Sequence, residues 1–213
     1  MNILIVDDHP LTLSIYKNIL KDFYSNSSFD LLSNSEQAYK AIIAYEKKNI
    51  FYDLAILDYN IPAYDNITNG ADLIKIIRDV NKSTKALLIT AHQEVVLIYD
   101  IIKKIAPDGI AIKNDISIEN LGEITNIVLA GSSYHSPTVR NCVFEVLKKD
   151  IMMEDYNRQI LFYLSRGYKV KDLKDVVLLT TSSIQRRVAN MKKVFKVEDD
   201  SSLVKTAIQQ GFV

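Results

Sequence analysis

A doubly wound α/β domain with a parallel sheet, followed by a small all-α domain, is the fold class this 213-residue sequence predicts. Three observations predict it. Short continuous apolar runs recur through the first 131 residues: Ile3-Leu4-Ile5-Val6, Leu54-Ala55-Ile56-Leu57, Ala86-Leu87-Leu88-Ile89 and Gly109-Ile110-Ala111-Ile112. Runs of this length read as strands buried on both faces. Segments with helical apolar spacing alternate with them. From about residue 153 the strand signal stops and the pattern is wholly helical.

The elements follow in order. Strands are expected at 2–6, 29–33, 53–57, 85–90 and 109–112, with helices at 9–24, 35–48, 70–80, 94–104 and 117–130. Leu11, Ile15, Ile19 and Leu20 give the first helix its apolar stripe; Leu73, Ile74, Ile76 and Ile77 do so for the third. Five βα repeats imply right-handed crossovers and a doubly wound, five-stranded parallel sheet over residues 1–131. The turn-rich stretch 131–138 closes that domain. A linker, partly helical over 139–151, is expected to cover 132–152. The second domain, 153–213, should hold helices at 155–166, 170–177, 181–195 and 200–210, the first of them stopped by Gly167. Leu178-Leu179-Thr180 joins the middle pair as tightly as a helix-turn-helix requires, with Thr180 as N-cap.

Composition narrows the function. The single cysteine, Cys142, excludes an internal disulfide framework and suits a reducing compartment. No stretch reaches the length of a membrane span, and no signal peptide is visible, so the cytoplasm is the expected location. The net charge of zero hides an asymmetry. Residues 1–131 carry 12 basic against 17 acidic side chains, whereas residues 153–213 carry 11 against 7. An acidic domain joined to a basic one suits a metal site coupled to a nucleic-acid-binding unit.

Four of the apolar runs end in polar residues: Asp7-Asp8, Asp58, Thr90 and Lys113. Ligand sites in parallel sheets lie beyond the carboxyl ends of the strands. One sheet edge therefore gathers three carboxylates, a hydroxyl and an ammonium. Such an oxygen-rich set favours a hard divalent cation such as Mg2+. Lys113 would hold a phosphate oxygen as a point charge, and Thr90 would hydrogen-bond another. Attack of the Asp58 carboxylate on phosphorus would give an acyl phosphate. Singly, each residue reads as a turn or surface residue; the inference rests on all of them standing at strand ends.

In the helix at 181–195, Ile184, Val188, Met191 and Phe195 repeat at helical spacing and are expected in the core. Ser182, Gln185, Arg186, Ala189 and Lys193 fall on the outer side, with Thr181 at its start and Arg187 and Lys192 flanking. A basic face carrying a Gln, opposite an apolar stripe, suits the major groove of DNA.

These motifs carry a family resemblance. Val6-Asp7-Asp8-His9, Leu57-Asp58 followed by Pro62, Ile89-Thr90-Ala91 and Ile112-Lys113-Asn114-Asp115 resemble the flavodoxin-like receiver domain of bacterial two-component response regulators. Ile160-Leu161 to Gly167, Lys171-Asp172-Leu173, Ser183-Ile184-Gln185 and Asn190-Met191 resemble the LuxR-type helix-turn-helix. Together they resemble the NarL/FixJ family. The resemblance implies that Asp58 accepts phosphate from a sensor histidine kinase. It implies Mg2+ on Asp8 and Asp58 directly, on Asp7 partly through water, and on the backbone carbonyl of Asn60. Lys113 and Thr90 would contact phosphoryl oxygens, and Asn60 and His92 would tune hydrolysis of the acyl phosphate. The implied protein is a DNA-binding transcription regulator, not an enzyme, and a homodimer when active.

The chain departs from the pattern in places. Ile110 stands where the family usually has an aromatic residue, which leaves open a DNA-binding regulator whose receiver answers to a protein or small ligand instead of phosphate. The loop 63–70 is longer than usual, and Gln185, Arg186 and Arg187 alter the expected base preference. A phosphatase of the haloacid-dehalogenase type would carry Asp-x-Asp after its first strand, where this chain has adjacent Asp7-Asp8.

Overall fold

Successive residues of the central strands face opposite layers, the period-two alternation of a pleated strand. β1 (Asn2–Val6), β3 (Leu54–Asp58), β4 (Lys85–Thr90) and β5 (Gly109–Ile112) are buried almost throughout. Leu4, Val6, Ala55, Leu57, Leu88 and Ile112 pack into one layer, and Ile3, Ile5, Leu54, Ile56, Leu87 and Ile89 into the other. With both faces apolar, helices must cover both. α2 (Ser35–Glu46), α3 (Gly70–Val80) and α4 (Val95–Asp100) supply Ala38, Ile42, Ile74, Ile77 and Ile98 to the first layer. α1 (Pro10–Phe23) and α5 (Leu121–Leu129) supply Leu13, Leu20, Leu121, Ile124 and Val128 to the second.

The computed structural model describes residues 1–209 and 212–213, and in α6 (Pro137–Met153) the side chains outside 147–149 and 153. Two compact units form, Met1–Val143 and Phe144–Val213. β2 (Ser28–Leu32) and β6 (Tyr134–His135) complete a parallel sheet of order β2-β1-β3-β4-β5-β6 among the described residues. From β1 the chain winds first to one side and then to the other. The crevice at this switch point opens at the carboxyl ends of β1 and β3.

The sheet is thus one strand wider than the sequence predicts. Tyr134 and Ser136 donate their amides to the carbonyls of Asp108 and Ile110 at 3.0 and 3.1 Å, which turns part of the stretch 131–138 into β6. Val139 and Cys142 at the start of α6 are buried in the first layer. Residues 132–143, assigned to a linker from the sequence, therefore pack as part of the first unit. The helix expected at 94–104 is α4 followed by a π-helical turn, Ile101–Ile105, closed by a left-handed Ala106 at φ 50°. The guanidinium of Arg78 donates to the carbonyls of Ile105 and Ala106, satisfying that helix end.

The second unit holds α7 (Asp155–Ser165), a 3-10 turn at Val170–Asp175, α8 (Thr181–Phe195) and α9 (Asp200–Gln209). Its core includes Ile160, Leu161, Leu173, Val177, Leu203 and Ala207, together with the stripe Ile184, Val188, Met191 and Phe195. Gly167 follows α7 at φ 89°, and the Thr180 hydroxyl accepts the Ser183 amide at 3.3 Å as the N-cap of α8. The segment 170–177, expected as an α-helix, is instead a 3-10 turn over Val170–Asp175, with i→i+3 bonds from Asp172 to Lys169 and from Val176 to Leu173. The last residue of the helix expected at 200–210 lies outside the described residues.

Candidate functional site

Strand ends deliver the chemistry. β1 ends at Val6 and projects the buried Asp7 and the exposed Asp8, β3 ends on the buried Asp58, and β4 ends on the buried Thr90. The turn Lys113–Asp115 after β5 brings Lys113 across. Its Nζ lies 2.7 Å from Asp58 Oδ2 and 3.1 Å from Asp7 Oδ2. Ligand atoms of Asp7, Asp8, His9 and Asp58 all lie within 4.8 Å of one another. His9 Nδ1 stands 2.6 Å from Asp8 Oδ1 and 3.2 Å from Asp7 Oδ1. Three carboxylates at this spacing repel each other, and the donor set suits an oxygen-seeking divalent cation.

The charges perturb one another. Burial pushes the Asp58 carboxyl up, and Lys113 offsets this only in part. Burial alone would lower the Lys113 ammonium, but its hydrogen bond to Asp58 and the charges of Asp58 and Asp7 hold it above its usual value. The Tyr16 phenol in α1 is pushed up to about 12 by burial and by the Asp7 charge. An open cleft of ≈ 380 Å³ lies over the site, lined by Asp8, His9, Asp58, Asn60 and Lys113 among others. At its rim the His92 ring meets Asn60 Oδ1 at 3.2 Å and Glu94 Oε2 at 3.1 Å, and stands edge-on to Tyr59. The His92 amide donates to Thr90 Oγ1 at 3.0 Å.

Asp7, Asp8, Asp58, Asn60 and Lys113 come together at the cleft, whereas Thr90 is buried at the neighbouring strand end with its hydroxyl engaged by the His92 amide. His9, Tyr16 and Gly70 are additions. A Cβ on Gly70 would lie 2.0 Å from the carbonyl oxygen of Asp58, so a side chain cannot enter where α3 abuts the end of β3. Only His9 had a sequence signal, its place directly after the acidic pair.

The outer face of α8 agrees with its helical spacing at most positions. Ser182, Gln185, Arg186, Ala189 and Lys193 are exposed, and so is Asn190; Thr181 is half-buried at the helix start. The two flanking cations are half-buried and engaged in ion pairs within the unit. Arg187 Nη1 pairs with Glu154 and lies 3.2 Å from Asn157 Oδ1, its guanidinium stands over the Tyr156 ring, and its side chain is only 22% exposed. Lys192 pairs with Asp200 at 2.9 Å. Arg187 is three residues from Ile184 and four from Met191, so it lies at the edge of the buried stripe, where it also lines an open cavity with Arg186 and Asn190. The neighbouring Asn157 is itself buried and donates to the Ile151 carbonyl at 2.7 Å.

The family profile described as response regulator receiver domain matches residues 3–120. The chain belongs to the response regulators. Its organisation is of the NarL/FixJ type, a receiver followed by a helical unit. This response regulator is 22% identical over 222 residues to the transcriptional regulatory protein MctR of Rhizobium johnstonii, a match spanning 100% of this chain and 95% of that one. It is 20% identical to the probable transcriptional regulatory protein NarL of Mycobacterium tuberculosis, over 99% and 94% of the two chains. A crystal form of the Salmonella typhimurium RcsB response regulator superposes with a TM-score of 0.59 at 18% identity, covering 97% of each chain. A structure of an RcsB–DNA complex superposes at 0.55, with 19% identity and 96% of each chain covered. Both likenesses concern the fold. Among the described residues of the regulator, no helix is long and apolar enough to cross a membrane.

Proposed function

We propose that this response regulator is a cytoplasmic, phosphorylation-controlled DNA-binding transcription factor, with Asp58 as the acceptor of phosphate from a sensor histidine kinase. The observation that carries this reading is the Lys113 ion pair to Asp58 and Asp7 inside the acidic cluster. Asp58 Oδ2 accepts from Lys113 at 2.7 Å and Oδ1 accepts the Asn60 amide at 3.4 Å, and the carboxylate attacks phosphorus. As the new P–O bond forms, the P–N bond of the donor phosphohistidine breaks and its electron pair returns to the imidazole. Lys113 follows a phosphoryl oxygen, while Thr90 donates its hydroxyl proton to another and still accepts the His92 amide. The Asp7, Asp8 and Asp58 carboxylates and the Asn60 carbonyl would hold Mg2+, which would supply the charge neutralisation that transfer to a carboxylate requires. Asn60 and His92 stand across the cleft and set the access of water, hence the lifetime of the acyl phosphate.

In the second unit, Ser182, Gln185, Arg186, Ala189 and Lys193 meet the major groove of double-stranded DNA, with Thr181 at the helix start. Arg187 and Lys192 flank that face and hold the helix through ion pairs to Glu154 and Asp200. Two chains form the active dimer, the usual solution for reading two half-sites, with the exposed Ile208 and half-buried Val204 of α9 as contact candidates. One observation favours a second reading. Ile110 is fully buried between Leu88 and His135 in the sheet, so the position offers no aromatic ring to move with Thr90, which favours a receiver that answers to another ligand.

Acetyl phosphate is the direct test. The wild-type chain is labelled in Mg2+, and Asp58→Asn is not; labelling that persists in the variant moves the acceptor elsewhere.

A further inference from the structure

One carboxylate ties the Lys113 turn to the start of α6. Asp115 closes that turn. Its Oδ2 accepts the Ser136 hydroxyl at 2.5 Å and the Thr138 amide at 3.0 Å, and its Oδ1 accepts the Thr138 hydroxyl at 3.0 Å. Ser136 is fully buried, and its Oγ in turn accepts the Ile112 amide at 3.2 Å. The Ser136 amide goes to the Ile110 carbonyl at 3.1 Å. On the other side, Asn120 Nδ2 donates to the Asp115 carbonyl at 2.8 Å, so the turn is braced at both ends. Burial alone would raise the Asp115 carboxyl; the bonds from Ser136 and Thr138 outweigh it and hold the group below its usual value.

The consequence is mechanical. Lys113 and Asp115 sit in one three-residue turn. A displacement of Lys113 from Asp58 toward a phosphoryl oxygen moves that turn, and with it three charge-assisted hydrogen bonds to residues 136 and 138. Thr138 is the second residue of α6, which begins in the first unit and ends in the second. Coupling between distant sites travels through contiguous networks of this kind when they have two arrangements.

We propose that Asp115 is a positioning residue which, through Ser136 and Thr138, transmits the state of Asp58 to the start of α6. The inference rests on the phosphoacceptor reading given above and adds to it the route of the signal.

The test uses the full chain, a DNA duplex obtained by in vitro selection, and Mg2+ with beryllofluoride as the phosphoryl mimic. Beryllofluoride uptake is followed by fluorine NMR and amide hydrogen exchange at residues 138–140 by mass spectrometry. In wild type, beryllofluoride raises DNA affinity within the roughly 5–150-fold range usual for allosteric coupling. Asp115→Asn and Thr138→Val are expected to take up beryllofluoride normally, to lose that gain to within about twofold, and to show no exchange response at 138–140. Thr138→Ser, which restores the hydroxyl, restores both. Thr138→Val keeps the Ser136 bond, so it remains informative if Asp115→Asn folds poorly. An undiminished gain in the variants overturns the proposal, as does loss of beryllofluoride uptake, which would place Asp115 in the acceptor site. If wild type shows no gain in DNA affinity but its exchange at 138–140 responds, and the variants do not, the link stands and control of DNA binding falls. No response at 138–140 in wild type removes the link.

Discussion

Lys113 and Arg187 are both cations drawn out of solvent by carboxylates, and they mark where function and structure divide. Lys113 faces two buried acids in an open cleft, where the proposed phosphoryl group would replace one of its partners. Arg187 faces Glu154 and Asn157 within its own unit, at the edge of an open cavity it shares with Arg186 and Asn190. Arg187→Ala is therefore expected to lower the stability of the second unit by about 1–2 kcal/mol, a charged hydrogen bond discounted for the half-exposed Glu154, visible as a lower Tm. Arg186→Ala should leave Tm unchanged, weaken DNA binding and reduce the salt slope by about one. An unchanged Tm in the first variant would return Arg187 to the DNA face. Asp7, Asp8, Asp58, Thr90 and Lys113 were legible because each follows an apolar run, and position at a strand end is a one-dimensional property. Tyr16 was not, because its approach to Asp7 depends on the packing of α1 against the sheet. Arg187 lay between: its spacing from Ile184 and Met191 marks the buried stripe, but Glu154 is 33 residues away in the chain.

At the scale of elements, β3 and the helix after it are in steric contact. Gly70→Ala would place a methyl carbon within 2.0 Å of the Asp58 carbonyl, so the start of α3 must shift. The expected cost is about 1–3 kcal/mol, as for other overpacking changes. Acetyl-phosphate labelling of Asp58 should slow as well, which separates a displaced acceptor from a mere loss of stability; wild-type labelling kinetics would show that the contact relaxes harmlessly. β6 makes a second prediction. Burial and the Arg140 charge lower the His135 imidazole from its usual 6.5. The unfolded chain then binds the proton more tightly, so the stabilisation is present above pH 6.5 and is lost as pH falls toward the folded value. His135→Gln should flatten the denaturant midpoint of the first unit across that window; an equally steep pH profile would assign it to another group. The longer elements were legible from continuous apolar runs for the strands and from helical spacing for the helices. β6 was not, since two residues carry no period, and the 3-10 turn at Val170–Asp175 was not, since its apolar spacing also fits a short α-helix.

Across the whole molecule, an acidic receiver and a basic helical unit share one chain, and α6 belongs to both. The charge asymmetry and the two patterns of apolar spacing made that division readable from sequence. The extent of the first unit was less readable, because residues 132–143 join it through backbone pairing to β5 and the burial of Val139 and Cys142. The central claim is that the chemical state of Asp58 controls what α8 does to DNA. A ligand shifts such an equilibrium only by its differential affinity for the two states, so the claim reduces to a difference in DNA affinity. The measurement is the affinity of the full chain for a selected duplex, at fixed salt, with and without Mg2+ and beryllofluoride, and with Asp58→Asn as control. The account predicts a clear rise in wild type and none in the variant. Unchanged affinity in wild type, with beryllofluoride shown to be bound at Asp58, would contradict it and favour a regulator driven by another ligand.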